Sequence, residues 1–149
     1  MGNIRQATMA DTARVAEIEI FNYRLNFYPI FLCDEFYFAD KQVPKEMKRY
    51  ETEEGLLRNT FVYDDGVVKG FIQLDESKVA KLFVEPVLQG QGIGAKLLEY
   101  AVTERKANQL WALEKNVKAI RFYERHGFHV TDEKELEEGT TEYLVKLIR

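Results

Sequence analysis

The chain has 149 residues, 46% of them hydrophobic, and a formal net charge of −4 at neutral pH. This length and composition indicate one folded domain and argue against disorder. The mild acidity argues against DNA or RNA as a partner, because nucleic-acid-binding proteins usually carry a basic stripe. The single cysteine, Cys33, excludes an internal disulfide and a multi-cysteine metal site, and we expect it to be a small apolar filler.

Targeting signals are not evident in the sequence. The N-terminus lacks the apolar run of a signal peptide, and no segment approaches the roughly 20 apolar residues that span a bilayer. We therefore expect one cytoplasmic domain over residues 1–149, with no membrane partner, no nucleic-acid partner and no metal. Exposed strand edges near the C-terminus would permit a homodimer.

The predicted elements alternate between helices and short strands. In chain order, the patterns predict a strand at 4–7, a helix capped by Thr8 or Asp11, a helix at 44–53, a hairpin at 61–74, a strand at 79–84, a helix from 92 to 106, a strand at 110–113, a helix at 117–125, and strands at 128–130 and 142–147. The acidic residues 132–138 are predicted to form a solvated connection. Together these elements predict a mixed α/β layer fold with helices on the sheet.

An aromatic segment follows the first predicted helix. Eight aromatic residues lie between Phe21 and Phe38, and Pro29 is expected to interrupt any helix there. We expect most of these rings to be ordinary core.

A glycine-rich turn joins the strand at 79–84 to the following helix. Gly90, Gly92 and Gly94 occupy alternate positions, where glycine lets the backbone approach a ligand and adopt conformations barred to other residues. Free N–H groups and the positive end of the helix dipole make such a turn an anion site that suits a pyrophosphate.

Three interpretations of this turn compete. Gly90-x-Gly92-x-x-Ala95, with Glu114 about 20 residues on, matches a dinucleotide-binding turn, although residues 86–89 separate the strand from the first glycine. A P-loop is excluded because the Gly-Lys-Ser/Thr ending is absent. The third possibility is a flexible turn without a ligand.

Two motifs resemble those of a known family. Gln89-x-x-Gly92-x-Gly94 resembles the coenzyme A pyrophosphate motif of the GNAT superfamily of N-acetyltransferases. The second motif occurs downstream in the family's order and at a similar distance, and reads Asn116-x-x-Ala119-x-x-Phe122-Tyr123-Glu124-x-x-Gly127-Phe128. The resemblance implies a central six- to seven-stranded, mostly antiparallel mixed sheet that is splayed where the cofactor enters and flanked by about four helices. It also implies transfer of an acetyl group from acetyl-CoA to an amine.

The resemblance carries specific roles onto this sequence. It implies that the pantetheine arm contacts Asn116 and pairs with the backbone of the strand before the turn. The cofactor-binding residues implied are Leu82, Phe83, Val84, Gln89, Gly90, Gln91, Gly92, Ile93, Gly94, Ala95 and Asn116. Asn116 also suits a helix N-cap before Val117.

Tyr123 is the predicted general acid. Acyl transfer from a thioester leaves a thiolate, and a phenol can donate a proton to it. The alternative is a half-buried aromatic residue whose hydroxyl is paired to a neighbour; the surrounding motif favours the catalytic role, by direct transfer in a ternary complex.

The general base is not evident. The glutamate that some N-terminal acetyltransferases of the family carry five residues before the motif asparagine is replaced here by Trp111, which favours a small-molecule acceptor over a protein N-terminus. Asp75, Glu76, His126 and His129 are weak candidates, a water relay is an alternative, and Glu114 is expected to face away from Trp111.

The acceptor is expected to be a small-molecule amine or a peptide, and acetylation of a protein N-terminus or a protein lysine remains an alternative. We predict that its binding site is lined by aromatic side chains that follow the first helix, namely Tyr23, Phe27, Tyr28 and Phe31. Two further functions remain possible at this stage: a non-catalytic acetyl-CoA sensor, which would explain the missing base, and a nicotinamide-dependent enzyme that uses the glycine turn.

Overall fold

A seven-stranded sheet organises the fold. The computed structural model describes residues 2–149. The strands are β1 (Ile4–Gln6), β2 (Thr60–Asp64), β3 (Val68–Asp75), β4 (Lys78–Val84), β5 (Gln109–Leu113), β6 (His129–Leu136) and β7 (Tyr143–Ile148). They lie in the order β1-β2-β3-β4-β5-β7-β6, and every neighbouring pair is antiparallel except β4 and β5. The predicted mixed, mostly antiparallel sheet is confirmed.

Helices cover both faces of this sheet. They are α1 (Thr12–Asn22), α2 (Tyr28–Phe31), α3 (Val43–Thr52), α4 (Ile93–Arg105) and α5 (Val117–Arg125). Successive residues of a strand point to opposite faces. In β3, Phe71 therefore packs in the cluster formed with α1, whereas Ile72 packs in the larger cluster formed with α4. Within residues 2–149, no helix has the length and apolar character needed to cross a membrane.

The sheet opens between β4 and β5. These two parallel strands pair only at Lys78 with Gln109 and at Val79 with Leu110. The rest of β4 has no β5 partner, so the sheet is splayed as expected. A single parallel pair also rules out the doubly wound parallel sheet of the dinucleotide-binding alternative.

The aromatic segment departs from the prediction. It forms two π-helical stretches, Tyr23–Phe27 and Glu35–Asp40, on either side of α2. Pro29 does not stop the helix, because it lies in the first turn of α2, where a proline is tolerated. The expectation that most of the eight rings are core is wrong: only Tyr37 is fully buried. The segment packs on Phe83 of β4 through Tyr23 and Phe27, whereas Phe36 and Phe38 are exposed to solvent.

Two further expectations were wrong. The acidic run belongs largely to β6, which continues to Leu136 after a register shift between Val130 and Lys134. A bulge and exposed charges are compatible with an outermost strand, where they discourage pairing with another chain. Cys33 is exposed rather than an apolar filler, because it lies between α2 and the second π-helical stretch.

Candidate active site

The glycine turn presents free backbone N–H groups at the start of α4. Gly90 and Gly92 have φ angles of +84° and +85°, which glycine adopts most readily, and Gly92 is the N-cap residue. The N–H group of Lys96 donates to Gly92 O at 3.1 Å and starts the helical ladder. The N–H groups of residues 93–95 therefore have no partner within the helix, as expected of a first turn. The turn has the chemistry of an anion site.

Gly94 differs from the other two glycines. It lies within α4 and does not have a positive φ angle. A Cβ atom built there would lie 3.6 Å from Phe122 Cζ and 3.7 Å from Val84 Cγ2, which is ordinary contact. The conformational argument for glycine therefore holds at Gly90 and Gly92 and not at Gly94, where close approach to a ligand is the remaining reason for glycine.

A buried asparagine fixes the position of the turn. Asn22, at the end of α1, donates from Nδ2 to Ile18 O and Val84 O, both at 2.9 Å. Gln89 donates from Nε2 to Asn22 Oδ1 at 3.1 Å and to Val84 O at 3.2 Å. The Gln89 side chain and the Val84 carbonyl thus make internal hydrogen bonds. Sequence reasoning missed Asn22, because nothing local distinguishes it from any polar helix end.

A cavity of about 780 Å³ lies beside the splay. It unites parts of the chain that are far apart in sequence: the aromatic segment, β4, β5, the start of α5 and the β6–β7 turn. Among the predicted site residues, those that line it are Tyr23, Phe27, Phe31, Leu82, Phe83, Asn116 and Tyr123. The glycine turn and Val84 lie outside this lining.

Tyr23, Phe27 and Phe31 form an aromatic wall of the cavity, and this wall packs on β4. The ring centroids of Tyr23 and Phe27 lie 5.6 Å and 6.3 Å from that of Phe83, in edge-to-face arrangements. Trp111 of β5 also lines the cavity. Tyr28 does not line it: its hydroxyl donates to Asp34 Oδ1 at 2.5 Å, and this hydrogen bond raises the Tyr28 pKa. We therefore leave Tyr28 out of the wall.

Asn116 caps α5 and faces the cavity. Its Oδ1 atom accepts the N–H group of Ala119 at 3.3 Å, so the predicted N-cap is confirmed. No hydrogen bond from its amide nitrogen is found among residues 2–149, which leaves a donor at the cavity wall.

Tyr123, about two helical turns after Asn116, supplies a hydroxyl group without a protein partner within residues 2–149. Its ring packs edge-to-face on Phe122 and Phe128, with centroids 5.3 Å and 5.9 Å away. The side chain is half-buried, and burial raises the pKa of Tyr123 to about 12. The hydroxyl is therefore a proton donor throughout the neutral range.

A network of charges underlies the aromatic wall, and sequence reasoning did not find it. The carboxylate of Glu19 is 2% exposed and lies between two ammonium groups, at 2.6 Å from Lys81 Nζ and 3.2 Å from Lys41 Nζ. Lys41 also lies 4.7 Å from the centroid of the Tyr23 ring. Burial and the Glu19 charge raise the pKa of Tyr23. The network forms only when three separate parts of the chain meet in the fold, so no local sequence pattern predicts it.

None of the weak base candidates reaches the cavity. His126 Nδ1 lies 2.7 Å from Phe122 O, inside its own helix, and His129 is exposed at the sheet edge. Asp75 and Glu76 lie in the β3–β4 hairpin, away from the cavity lining. Glu114 is exposed and pairs with Lys134, facing away from Trp111 as expected.

A family comparison now decides the identity of the domain. Residues 33–143 match the family described as "Acetyltransferase (GNAT) domain". The chain belongs to the GNAT acetyltransferase family. The prediction drawn from the two motifs is confirmed, and both motifs fall inside the matched region.

Relatives of this GNAT domain match over part of their length. The chain is 35% identical over 77 residues to "Peptidyl-lysine N-acetyltransferase YjaB" of Salmonella typhimurium, a match that covers 52% of this chain and 53% of that protein. It is 36% identical over 70 residues to "Peptidyl-lysine N-acetyltransferase YiaC" of Escherichia coli, covering 46% and 48%. The chain thus spans about half the length of the curated relatives it matches.

Solved structures share the fold over nearly the whole GNAT chain. The solution structure of apo YjaB from Escherichia coli superposes with a TM-score of 0.71 at 22% identity, covering 97% of this chain and 95% of that one. The structure of YncA from Salmonella typhimurium with acetyl-CoA gives a TM-score of 0.66 at 23% identity, covering 97% and 90%. These likenesses establish the fold.

Proposed function

We propose that this protein transfers the acetyl group of acetyl-CoA to a primary amine. One observation carries the proposal: the unengaged Tyr123 hydroxyl, the free amide of Asn116 and the unpaired part of β4 share one cavity. Membership of the GNAT family supports the same chemistry.

The cofactor would lie across the splay. Its pyrophosphate would accept hydrogen bonds from the backbone of the glycine turn, within residues 89–95, where anions are favoured. Its pantetheine arm would pair with the unpaired edge at Leu82 and Phe83, in the manner of an added strand. Asn116 would donate its free amide to the same arm. In this arrangement Gln89 and Asn22 hold the turn in place rather than bind the cofactor.

The transfer would be direct. The amine nitrogen attacks the thioester carbonyl, the C–S bond breaks, and the sulfur leaves as thiolate. Tyr123 donates its proton to the sulfur, and the resulting phenolate is neutralised by the proton that the acylated nitrogen must lose. Because the pKa of Tyr123 is raised to about 12, the hydroxyl is always available as donor. Backbone N–H groups of β4 would polarise the carbonyl.

The acceptor would be a lysine side chain presented on a peptide. The two relatives described above are named peptidyl-lysine acetyltransferases. The aromatic wall suits the methylene groups of a lysine, and the cavity is large enough for a side chain with its flanking backbone. Trp111 was the one sequence feature that favoured a small-molecule acceptor, and its ring is equally compatible with the methylene groups of a lysine side chain.

A non-catalytic acetyl-CoA sensor is the second candidate, because none of the base candidates named from the sequence lines the cavity. The first test is thermal unfolding with acetyl-CoA, CoA, NAD or ATP. A ligand at about 100 times its Kd adds about 2.7 kcal/mol of stability. Stabilisation by both CoA compounds and not by NAD supports the cofactor assignment, whereas no response to either CoA compound contradicts it. Turnover of a lysine peptide then separates enzyme from sensor.

A further inference from the structure

The proposed acceptor cavity carries an unbalanced negative charge. Its charged lining residues are Lys81, Glu137, Glu138 and Glu142. The one cation among them, Lys81, is neutralised by the buried Glu19 at 2.6 Å.

The β6–β7 turn supplies all three carboxylates of the lining. Glu142 is paired with Lys115 at 2.9 Å, and that pairing lowers the Glu142 pKa. Glu137 and Glu138 form no ion pair within the described chain. The charge left over in the cavity is therefore negative, and it suits a cation.

Of the two unpaired carboxylates, Glu137 is better placed than Glu138 to bind a cation inside the cavity. Its backbone is fixed, because its N–H group donates to Glu142 O at 2.7 Å and its carbonyl accepts from Thr140 N–H at 3.0 Å and Thr140 Oγ1 at 2.8 Å. The Glu137 side chain is half-buried, whereas Glu138 is exposed. Glu137 also lies close enough to Tyr37 to contribute, after burial and Cys33, to raising the pKa of Tyr37 to about 12. Glu137 and Tyr37 line the same cavity, so the carboxylate shares that space with the aromatic segment.

We infer that Glu137 selects the acceptor by charge, holding the ammonium end of an alkylamine such as a protonated lysine side chain against the aromatic wall. The inference rests on the proposed function, since it concerns the acceptor of that reaction. An ammonium group gains from a charge-assisted hydrogen bond to the carboxylate and from attraction to ring faces. Glu137 is thus a positioning residue. The bound ammonium releases one proton to solvent before its nitrogen attacks the thioester, and the transfer step then proceeds through Tyr123 as proposed.

The experiment measures binding without turnover. The probe is the blocked tripeptide Ala-trimethyllysine-Ala, with neutral ends, whose quaternary ammonium cannot be acetylated; Ala-norleucine-Ala is its uncharged counterpart. Both are titrated calorimetrically into the protein saturated with CoA. Glu137→Gln should weaken binding of the trimethyllysine peptide about tenfold, because it removes the charge–charge attraction that a quaternary ammonium keeps although it has no N–H group to donate. Binding of the norleucine peptide should be unchanged.

A matched variant provides the control. Glu135→Gln removes the same charge two residues away, near the end of β6, where Glu135 is exposed and lies outside the cavity lining. This variant should bind both peptides as the wild type does. If both variants lose the same affinity for the trimethyllysine peptide, the effect comes from general surface charge and the inference is overturned.

Separate readouts distinguish the inference from the proposed function. If the wild type acetylates lysine peptides but Glu137→Gln binds the trimethyllysine peptide normally, the inference fails and the proposed function stands. If binding depends on Glu137 but no acetylation occurs, the proposed function fails, and of the inference only the binding of an ammonium group by Glu137 stands. A wild type that does not prefer the charged peptide to the norleucine peptide also overturns the inference.

Discussion

Asn22 and Gln89 are joined by a hydrogen bond of 3.1 Å that ties the end of the first helix to the glycine turn. The same asparagine binds the last carbonyl of β4, at Val84. One buried side chain thus fixes the distance between the strand edge and the turn, which in our account hold two parts of the same cofactor.

Replacement of this asparagine should harm both stability and cofactor binding. Asn22→Ala removes a donor from the buried Val84 carbonyl and an acceptor from the Gln89 amide, so the free energy of unfolding should fall by about 1–3 kcal/mol. The Kd for CoA should rise several-fold because the turn is no longer fixed. Urea denaturation and calorimetry check the two effects. Asn108→Ala, at an exposed position, is the control and should change neither.

Two glycines of the turn should respond differently to alanine. Gly92→Ala forces a Cβ into a left-handed conformation and should cost about 1–2 kcal/mol of stability as well as CoA affinity. Gly94→Ala has a helical backbone and room for the methyl group, so stability should be kept or rise by up to about 1 kcal/mol, while CoA affinity falls. Thermal unfolding with and without CoA separates the effects. Unchanged CoA affinity in both variants would remove the turn from the cofactor site.

The buried Glu19 should stabilise the aromatic wall. Glu19→Gln leaves Lys81 without its partner at low exposure, and removal of one member of a buried pair costs about 3–5 kcal/mol. Lys41 still has an ion pair with Glu46 at 3.0 Å in this variant, so we expect a loss of stability at the lower end of this range. Urea denaturation measures it. Glu17→Gln on the same helix breaks an exposed pair with Arg14 and should cost less than about 1 kcal/mol. Equal, small losses of stability in Glu19→Gln and Glu17→Gln would contradict a structural role for Glu19.

Tyr123→Phe should lower kcat by roughly 10²–10⁴ while leaving the Kd for CoA almost unchanged, because it removes only the proton donor. Steady-state kinetics and calorimetry measure these. Phe122 offers a neighbouring control: Phe122→Leu should affect stability far more than the rate of the chemical step.

The raised pKa of Tyr123 gives this prediction a pH dependence. Since burial raises the pKa to about 12, loss of the Tyr123 proton should not limit kcat anywhere below about pH 10. The sign for stability follows from linkage: the contribution of a raised pKa is fully present below about pH 10, the unfolded value, and is lost as the pH rises through 12. Tyr123→Phe should therefore be less sensitive to alkaline unfolding. A fall in kcat near pH 8 that occurs in the wild type and not in Tyr123→Phe would contradict the raised pKa of Tyr123.

Local patterns sufficed for the parts of the site that local chemistry dictates. The positive φ angles at Gly90 and Gly92, and the N-cap made by Asn116, follow from residue types next to a helix start. Most strands and helices were also predictable to within a few residues, because each has its own apolar periodicity.

Long-range packing determined what the sequence could not reveal. The pairing of Lys81 with Glu19 and the placement of Glu137 in the same cavity as the aromatic segment depend on elements that meet only in the fold. The acidic run in β6 misled for a related reason: its charges suggested a loop, but an edge strand tolerates them. Tyr28 failed as a wall residue because spacing alone cannot tell which side of a helical segment faces the cavity.

The most direct test of the central claim is the fate of acetyl-CoA in the presence of a lysine peptide. Thiol release and acetyllysine, detected by mass spectrometry, are measured together with the wild type and with Tyr123→Phe. Our account predicts that the wild type forms both products in equal amounts and that Tyr123→Phe is slower by two or more orders of magnitude. Tight acetyl-CoA binding with no acetylation of any amine would contradict it and would identify a sensor.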